Sequence, residues 1–310
     1  MPIFKASTGK LHGTIALSIL LFTTLIGSIP ILLIGLLKLI PSQRLKIYCT
    51  QLVDSIASRW IDINNAYLDK SQPTVMDISG DMQFNPTQWY LVVANHQSWL
   101  DIVILQRLFN RKIPVLKFFI KDQLKWIPLL GFSWWAMGCP FMKRYSKAYL
   151  AKNPHKKGKD SEATKKALTL FKHTPSTIMS FIEGTRYTPQ KKSHQKSPYQ
   201  HLLKPKAGGV SFVIGAMNQH INQLIDVSIV YPDEHYSLWD FLCLRVHFIK
   251  INVRQVPIPE QFLQESLPED VKTQTEFRDW LNQQWLEKDK IMATMKKKPL
   301  STANATTLEL

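Results

Sequence analysis

From Leu11 to Leu37 the chain carries no Asp, Glu, Lys or Arg, and the heart of this run reads IALSILLFTTLIGSIPILLIGLL. No other stretch restricts the fold so strongly. One helix of that length, rising about 1.5 Å per residue, crosses the roughly 30 Å hydrocarbon layer of a bilayer with some tilt. A cleaved signal peptide fits poorly, because the apolar part is too long and no small-x-small site ends it. A buried helix of a soluble core is the plainer alternative, and the length speaks against it. Pro30, after Gly27 and Ser28, leaves a second geometry open, two shorter helices that dip into one leaflet as a hairpin. Lys5 and Lys10 precede the run, while Lys38, Arg44 and Lys46 follow it. The excess after the run points the downstream domain to the cytoplasm. Residues 1–44 therefore read as a membrane anchor, helix or hairpin.

The remaining length is ample for one large core. Residues 45–70 carry apolar side chains at mixed three- and four-residue spacing, the pattern of an amphipathic helix. Short apolar runs at 89–94, 113–120, 177–182, 224–231 and 243–251 read as strands. Helical patterns fill 99–109, 122–137, 160–173, 207–220 and 268–290. Strand–helix alternation predicts an α/β fold over residues 45–295, a single layered domain with a mostly parallel central sheet flanked by helices. The polar stretch 296–310 reads as a disordered tail.

The formal charge is +16, which calls for an anionic partner such as acidic lipid, an acidic carrier protein or nucleic acid. Nucleic acid finds no support: there is no helix-turn-helix, zinc or RNP-type signature, and aromatics are not interleaved with the lysines. Cys49, Cys139 and Cys243 are scattered, with no C-x-x-C pair. That excludes a disulfide framework and gives no zinc site, and no metal is expected.

Two clusters carry chemistry. NHQSWLD (Asn95–Asp101) follows the apolar run YLVVA. His96 and Asp101 are five apart, so they meet only if His96 sits in a strand-to-helix loop and Asp101 in the first helical turn. Reactive groups of open α/β sheets gather at such carboxyl ends of strands. A carboxylate that holds one imidazole nitrogen leaves the other as a base near neutral pH. FIEGTR (Phe181–Arg186) also ends an apolar run. There Gly184 permits close backbone approach, Glu183 offers an acceptor for hydroxyls, and Arg186 presents a fork suited to phosphate. Taken alone, each cluster has a plain structural reading, a capping histidine or a surface turn. Two acid-free basic runs, Lys143–Lys159 and Arg186–Lys206, add positive charge beside these motifs.

Four stretches in order resemble the blocks of the 1-acyl-glycerol-3-phosphate acyltransferases, the glycerolipid or lysophospholipid acyltransferase family. NHQSWLD is similar to the first block, GCPFMKR (Gly138–Arg144) to the second, FIEGTR to the third and LIDVSIVYP (Leu224–Pro232) to the fourth. LKPKAGG (Leu203–Gly209) matches the basic-then-glycine segment between the last two. Anchor and length resemble the probable acyltransferases of the bacterial inner membrane. Ile182 stands where the family has proline, and Lys143 where an acidic residue is common.

The resemblance implies a membrane-associated enzyme with its catalytic domain on the cytoplasmic face of a bacterial inner membrane. It moves an acyl group from a thioester, either acyl-CoA or acyl carrier protein, to a lysophospholipid hydroxyl. His96 and Asp101 would be catalytic, and Arg144, Glu183, Gly184 and Arg186 would bind substrate. Anionic membrane lipids are further partners, and no cofactor is needed beyond the thioester co-substrate. A route through Cys139 is weighed against its reading as a packing residue. Ser98 could serve a lipid ester hydrolase, though no G-x-S-x-G elbow surrounds it. A non-catalytic lipid-binding protein of the same fold is the remaining alternative.

Overall fold

A computed structural model of the chain describes residues 2–142, 171–217, 220, 221, 223–232, 236–264 and 270–297. The N-terminal run forms one continuous helix, α1 (Pro2–Leu37), with Pro30 inside it, so the hairpin alternative is not what forms. Its segment Thr8–Leu37 is long and apolar enough to cross a membrane, and little of it is covered by the rest of the chain. After a short turn, α2 (Gln43–Ser71) starts under the side chain of Ser42, which accepts from Leu45 N–H. Asn64 of α2 accepts a hydrogen bond from Thr23 of α1 at 2.8 Å. Several ties hold this pair to the domain, among them Lys117 Nζ, 3.0 Å from Asp54 of α2, and Lys38 Nζ, which donates to Ala136 O at 2.7 Å.

The domain is built on strands β1 (Val75–Gly80), β2 (Tyr90–Ala94), β3 (Leu116–Phe118), β6 (Thr177–Ser180), β7 (Gln223–Val230) and β8 (Phe248–Pro257). They lie in the order β1-β8-β7-β2-β6-β3. β7, β2, β6 and β3 run parallel, while β8 is antiparallel to β7 and takes β1 as a parallel neighbour. Two further strands, β4 (Ile120–Lys121) and β5 (Phe141–Met142), pair separately. The helices are α3 (Leu100–Phe109), α4 (Leu130–Ala136), α5 (Pro189–His194), α6 (Ala207–Met217), α7 (Leu238–Leu242) and α8 (Val271–Lys297).

YLVVA is apolar throughout because β2 is covered on both faces, as expected of a central parallel strand. Val92 and Ala94 point into the core shared with α3, whereas Leu91 and Val93 point into the core shared with α6 and α8. Several expected elements shift. The run 122–137 is split into a 3-10 turn (Asp122–Trp126) and α4, because Pro128 cannot continue a helix. The run 113–120 divides between β3 and β4. β8 starts at Phe248 because α7 caps at Cys243 and Leu244 takes φ 63°. β1 was not anticipated: its pattern is half exposed and ends in glycine. The helical expectation at 160–173 falls mostly outside the described residues. α8 runs on to Lys297, and the rest of the expected tail lies outside the described residues.

α8 is fixed by charge as well as by packing. Lys288 is fully buried and donates to Asp226 Oδ1 of β7 at 2.7 Å, while Arg254 of β8 donates to Oδ2 of the same carboxylate at 2.8 Å. Removing one partner of a buried ion pair strands the other. Lys288→Met should therefore lower the unfolding free energy by about 3 kcal/mol, the low end of the usual range because Arg254 remains. Thermal unfolding in detergent would read this, and an unchanged midpoint would refute it.

Candidate active site

The carboxyl ends of β2, β6 and β7 lie side by side, so the loops that leave them share one edge of the sheet. β2 delivers Asn95 and His96, β6 delivers Phe181–Arg186, and β7 delivers Tyr231. Asn95 is buried and fastens the first loop to β7: its Nδ2 donates to Ile229 O and its Oδ1 accepts from Ile229 N–H, both at 2.9 Å. His96 follows with its ring partly exposed.

His96 Nδ1 lies 2.8 Å from Asp101 Oδ2. A carboxylate only accepts, so Nδ1 carries the proton and Nε2 keeps its lone pair. Nε2 has no hydrogen-bond partner among the described residues. Asp101 itself is buried and well satisfied. Oδ2 also accepts the N–H groups of Gln97 at 2.6 Å and Ser98 at 2.8 Å, and Oδ1 accepts the hydroxyl of Tyr231 at 2.6 Å. Burial and the neighbouring carboxylate hold the Tyr231 phenol well above its usual range, which keeps it a donor. Phe181 stacks on the imidazole, with ring centroids 3.9 Å apart and planes 14° from parallel. Ring orientation is thus set from one nitrogen and one face.

The second loop is stitched to the first by backbone, since Tyr187 N–H donates to His96 O at 2.7 Å. This places Arg186 beside the histidine loop, where its guanidinium carbon stands 5.8 Å from the ring centre of the exposed Trp99. Gly184 takes φ 71°, and a Cβ there would lie 2.6 Å from Lys206 Nζ. The backbone angle is what favours glycine here, since the flexible end of Lys206 could move aside. Ile182 does not spoil the turn: it is buried, and Gly184 N–H closes the bend onto Phe181 O at 2.9 Å.

Glu183 departs from the sequence reading. It is fully buried and does not face a ligand. Its Oε1 accepts His96 N–H at 3.1 Å and its Oε2 accepts Leu203 N–H at 3.3 Å. Leu203 O in turn accepts Trp285 Nε1 of α8 at 3.0 Å, and Lys288 Nζ stands 5.0 Å from the Trp285 ring centre. Glu183 is therefore a brace between the His96 loop and the C-terminal helix, a connection that sequence alone could not disclose.

Burial pushes the Glu183 carboxyl up to about 8, against the pull of its two backbone donors and Lys288. In the unfolded chain the ordinary value near 4.5 returns. Folding then takes up a proton between these values, so the contribution to stability is complete below about pH 4.5 and falls as pH rises toward 8. Glu183→Gln cannot titrate, and its stability should decline less than that of the wild type between pH 5 and 8, by roughly 3 kcal/mol. Melting curves across that range test it, and parallel slopes would refute it.

Arg144, together with the basic run 143–159, lies outside the described residues. Cys139 is buried, and burial pushes its thiol up to about 12, far from a nucleophilic thiolate. Ser98 is also buried, and its Oγ accepts from Leu100 N–H at 3.1 Å. Among the described residues no cluster of metal-ligating side chains occurs.

A histidine held by a buried carboxylate thus stands beside an arginine at the open edge of an α/β sheet, an arrangement chemically able to deprotonate a hydroxyl next to an anionic group. The profile of the Acyltransferase family matches residues 75–232, just over half of the chain, and the chain belongs to that family. It is 27% identical over 218 residues to 1-acyl-sn-glycerol-3-phosphate acyltransferase epsilon of Mus musculus, covering 61% of this chain and 57% of that one. It is 25% identical over 233 residues to an uncharacterised acyltransferase of Schizosaccharomyces pombe, covering 71% and 63%. The chain thus spans less than two thirds of the length of either relative. Its fold is similar to the crystal structure of the 1-acyl-sn-glycerophosphate acyltransferase PlsC from Thermotoga maritima, with a TM-score of 0.55, 15% identity, and 97% of this chain and 100% of that one covered.

Proposed function

We propose that this chain transfers a fatty acyl group from a thioester donor to a hydroxyl of lysophosphatidic acid or a related lysophospholipid. The observation that carries the reading is His96, with Nδ1 locked on Asp101 and Nε2 free, beside Arg186. Nε2 takes the proton of the acceptor hydroxyl, and the oxygen attacks the thioester carbonyl. The tetrahedral intermediate collapses with loss of thiolate, which the imidazolium protonates as thiol. No acyl-enzyme is required because the thioester is already activated. Asp101 stabilises the imidazolium. Arg186 and Lys206 hold the acceptor phosphate, joined by Arg144, and Gly184 lets the ligand approach the backbone. Glu183 keeps the loop in place and touches no substrate.

An apolar cavity lies one ring away, lined by Gly27, Ile31, Ala57, Ile61, Phe118 and Met137. Phe118, which lines it, lies 6.3 Å from Phe181, the ring stacked on His96. This supports a lipid substrate. The apolar helix α1 and the charge of +16 support residence at an anionic membrane, for which we propose the cytoplasmic face of a bacterial inner membrane. Either coenzyme A or acyl carrier protein suits the same chemistry as donor.

Purified protein in vesicles, offered a panel of lysophospholipids with each donor, should form diacyl product only when an acceptor is present. Free fatty acid released without an acceptor would mark a hydrolase and overturn the proposal. Arg186→Ala should raise KM for a phosphorylated acceptor at least about tenfold with a smaller change in kcat, as expected when a charge-assisted contact of about 1.5–3 kcal/mol is lost. An unchanged KM would remove Arg186 from phosphate binding.

A further inference from the structure

We infer that residues 126–135 form a second bilayer-contacting element, which seats in the headgroup–acyl boundary next to the C-terminal end of α1. The inference rests on the reading that α1 lies in a membrane, and it extends that contact to the catalytic domain itself. Trp126 is 78% exposed, and Ile127, Leu129 and Trp135 are each between 38% and 39% exposed. Large apolar side chains this open seldom cluster on a soluble monomer without a partner.

The backbone holds the cluster out under strain. Leu129 takes φ 64° and ψ −53°, and Leu130 N–H donates to Pro128 O at 2.7 Å. These are the marks of a γ-turn of the rare, strained hand, with leucine at its tip. A polar or glycine residue would cost less in water. Strain of this kind persists where the surroundings or a ligand demand it.

The occupant follows from where the segment is attached. α4 packs on the last turns of α1, where a Cβ on Gly35 would lie 2.9 Å from Ala136 Cβ, and Lys38 Nζ donates to Ala136 O. Leu33 and Leu36 of α1 and Leu39 just beyond it are exposed, so the segment that bears Trp126 and Trp135 is mounted on the end of an apolar helix whose own leucines are open. Exposed apolar side chains mounted on a bilayer-length helix fit the bilayer. Tryptophan suits the boundary, where an apolar ring and a polar N–H meet different surroundings. Lys121, just before the segment, and Arg44, shortly after the end of α1, are exposed and suit anionic headgroups. The segment also leaves the sheet from the carboxyl end of β3, the same edge that carries His96. Seating it in lipid would hold the open edge of the site at the membrane surface.

The test uses the full chain in vesicles of phosphatidylcholine and phosphatidylglycerol. Ile127→Cys, Leu25→Cys in α1 and Thr87→Cys, in the exposed turn before β2, are each labelled with bimane. The native cysteines are buried, and unsubstituted protein treated in parallel gives the blank. Phospholipid brominated near the top of its chains should remove about half of the fluorescence at 127 and little at 87, with the reverse order for aqueous iodide. Quenching by lipid at 25 but by iodide at 127 would overturn the inference and leave the anchor standing. Shielding of 127 from both quenchers would overturn it in favour of a protein partner, including a second copy. If Ile127→Cys loses the wild-type circular dichroism, Trp126→Cys gives the same reading one position away. None of these signals needs acyl transfer, so an inactive preparation would sink the proposed chemistry without deciding this inference.

Discussion

His96→Ala is expected to slow acyl transfer by about 10²–10⁴-fold, the usual worth of a positioned general base. The variant isolates chemistry from folding unusually well. The loop is held by backbone groups that alanine keeps: His96 N–H on Glu183 Oε1 and His96 O under Tyr187 N–H. Asp101 Oδ2 loses one donor but retains the N–H groups of Gln97 and Ser98. The protein should therefore stay folded with its cation sites intact, and KM for the acceptor should change far less than kcat. Near-normal turnover by a folded variant would remove His96 as the base, and the mechanism with it.

Asp101→Asn should be almost as damaging, about 10²–10⁴-fold in kcat, by the logic of a carboxylate that orients and charges a histidine. Two orientations are open to the amide. With its oxygen at the Oδ2 position the loop N–H groups stay bonded, and the amide nitrogen meets Tyr231, which must turn its hydroxyl to accept. The tautomer survives in that case, but the negative charge that stabilises the imidazolium is gone. The opposite orientation sets an amide N–H against His96 Nδ1 and two backbone donors, which forces the proton onto Nε2 and removes the base. Either way acyl transfer falls while the surfaces that meet lipid are untouched. Rates measured beside liposome flotation separate the readings. Loss of transfer with binding retained supports catalysis, whereas loss of both together would favour a lipid-binding protein without acyltransferase activity.

The brace through Glu183 ties the C-terminal helix to the His96 loop, a connection that no local motif announces. Trp285 and Lys288 connect to the site through Leu203, Asp226 and the core between them. Disturbing α8 should therefore reach the His96 loop through hydrogen bonds that end on its own backbone.

Local chemistry settled much in advance. The uncharged run from Leu11 to Leu37 pointed to apolar helix, one long or two short, because helix satisfies its peptide groups within the segment, and the structure shows the single continuous form. The five-residue step from His96 to Asp101 dictated a strand-to-helix loop, since only that geometry lets the two side chains meet. Both constraints act within a few residues, where chain geometry leaves little choice. Tyr231, by contrast, reaches Asp101 from 130 positions away, and Asn95 fastens its loop to a strand 134 positions on. Glu183 reads in the sequence as a ligand for hydroxyls, yet folding buries it between two backbone donors. Those assignments waited on the strand order β7-β2-β6, because which loops become neighbours is fixed by pairing across the sheet and by burial of the faces between them, not by any property of the loops themselves.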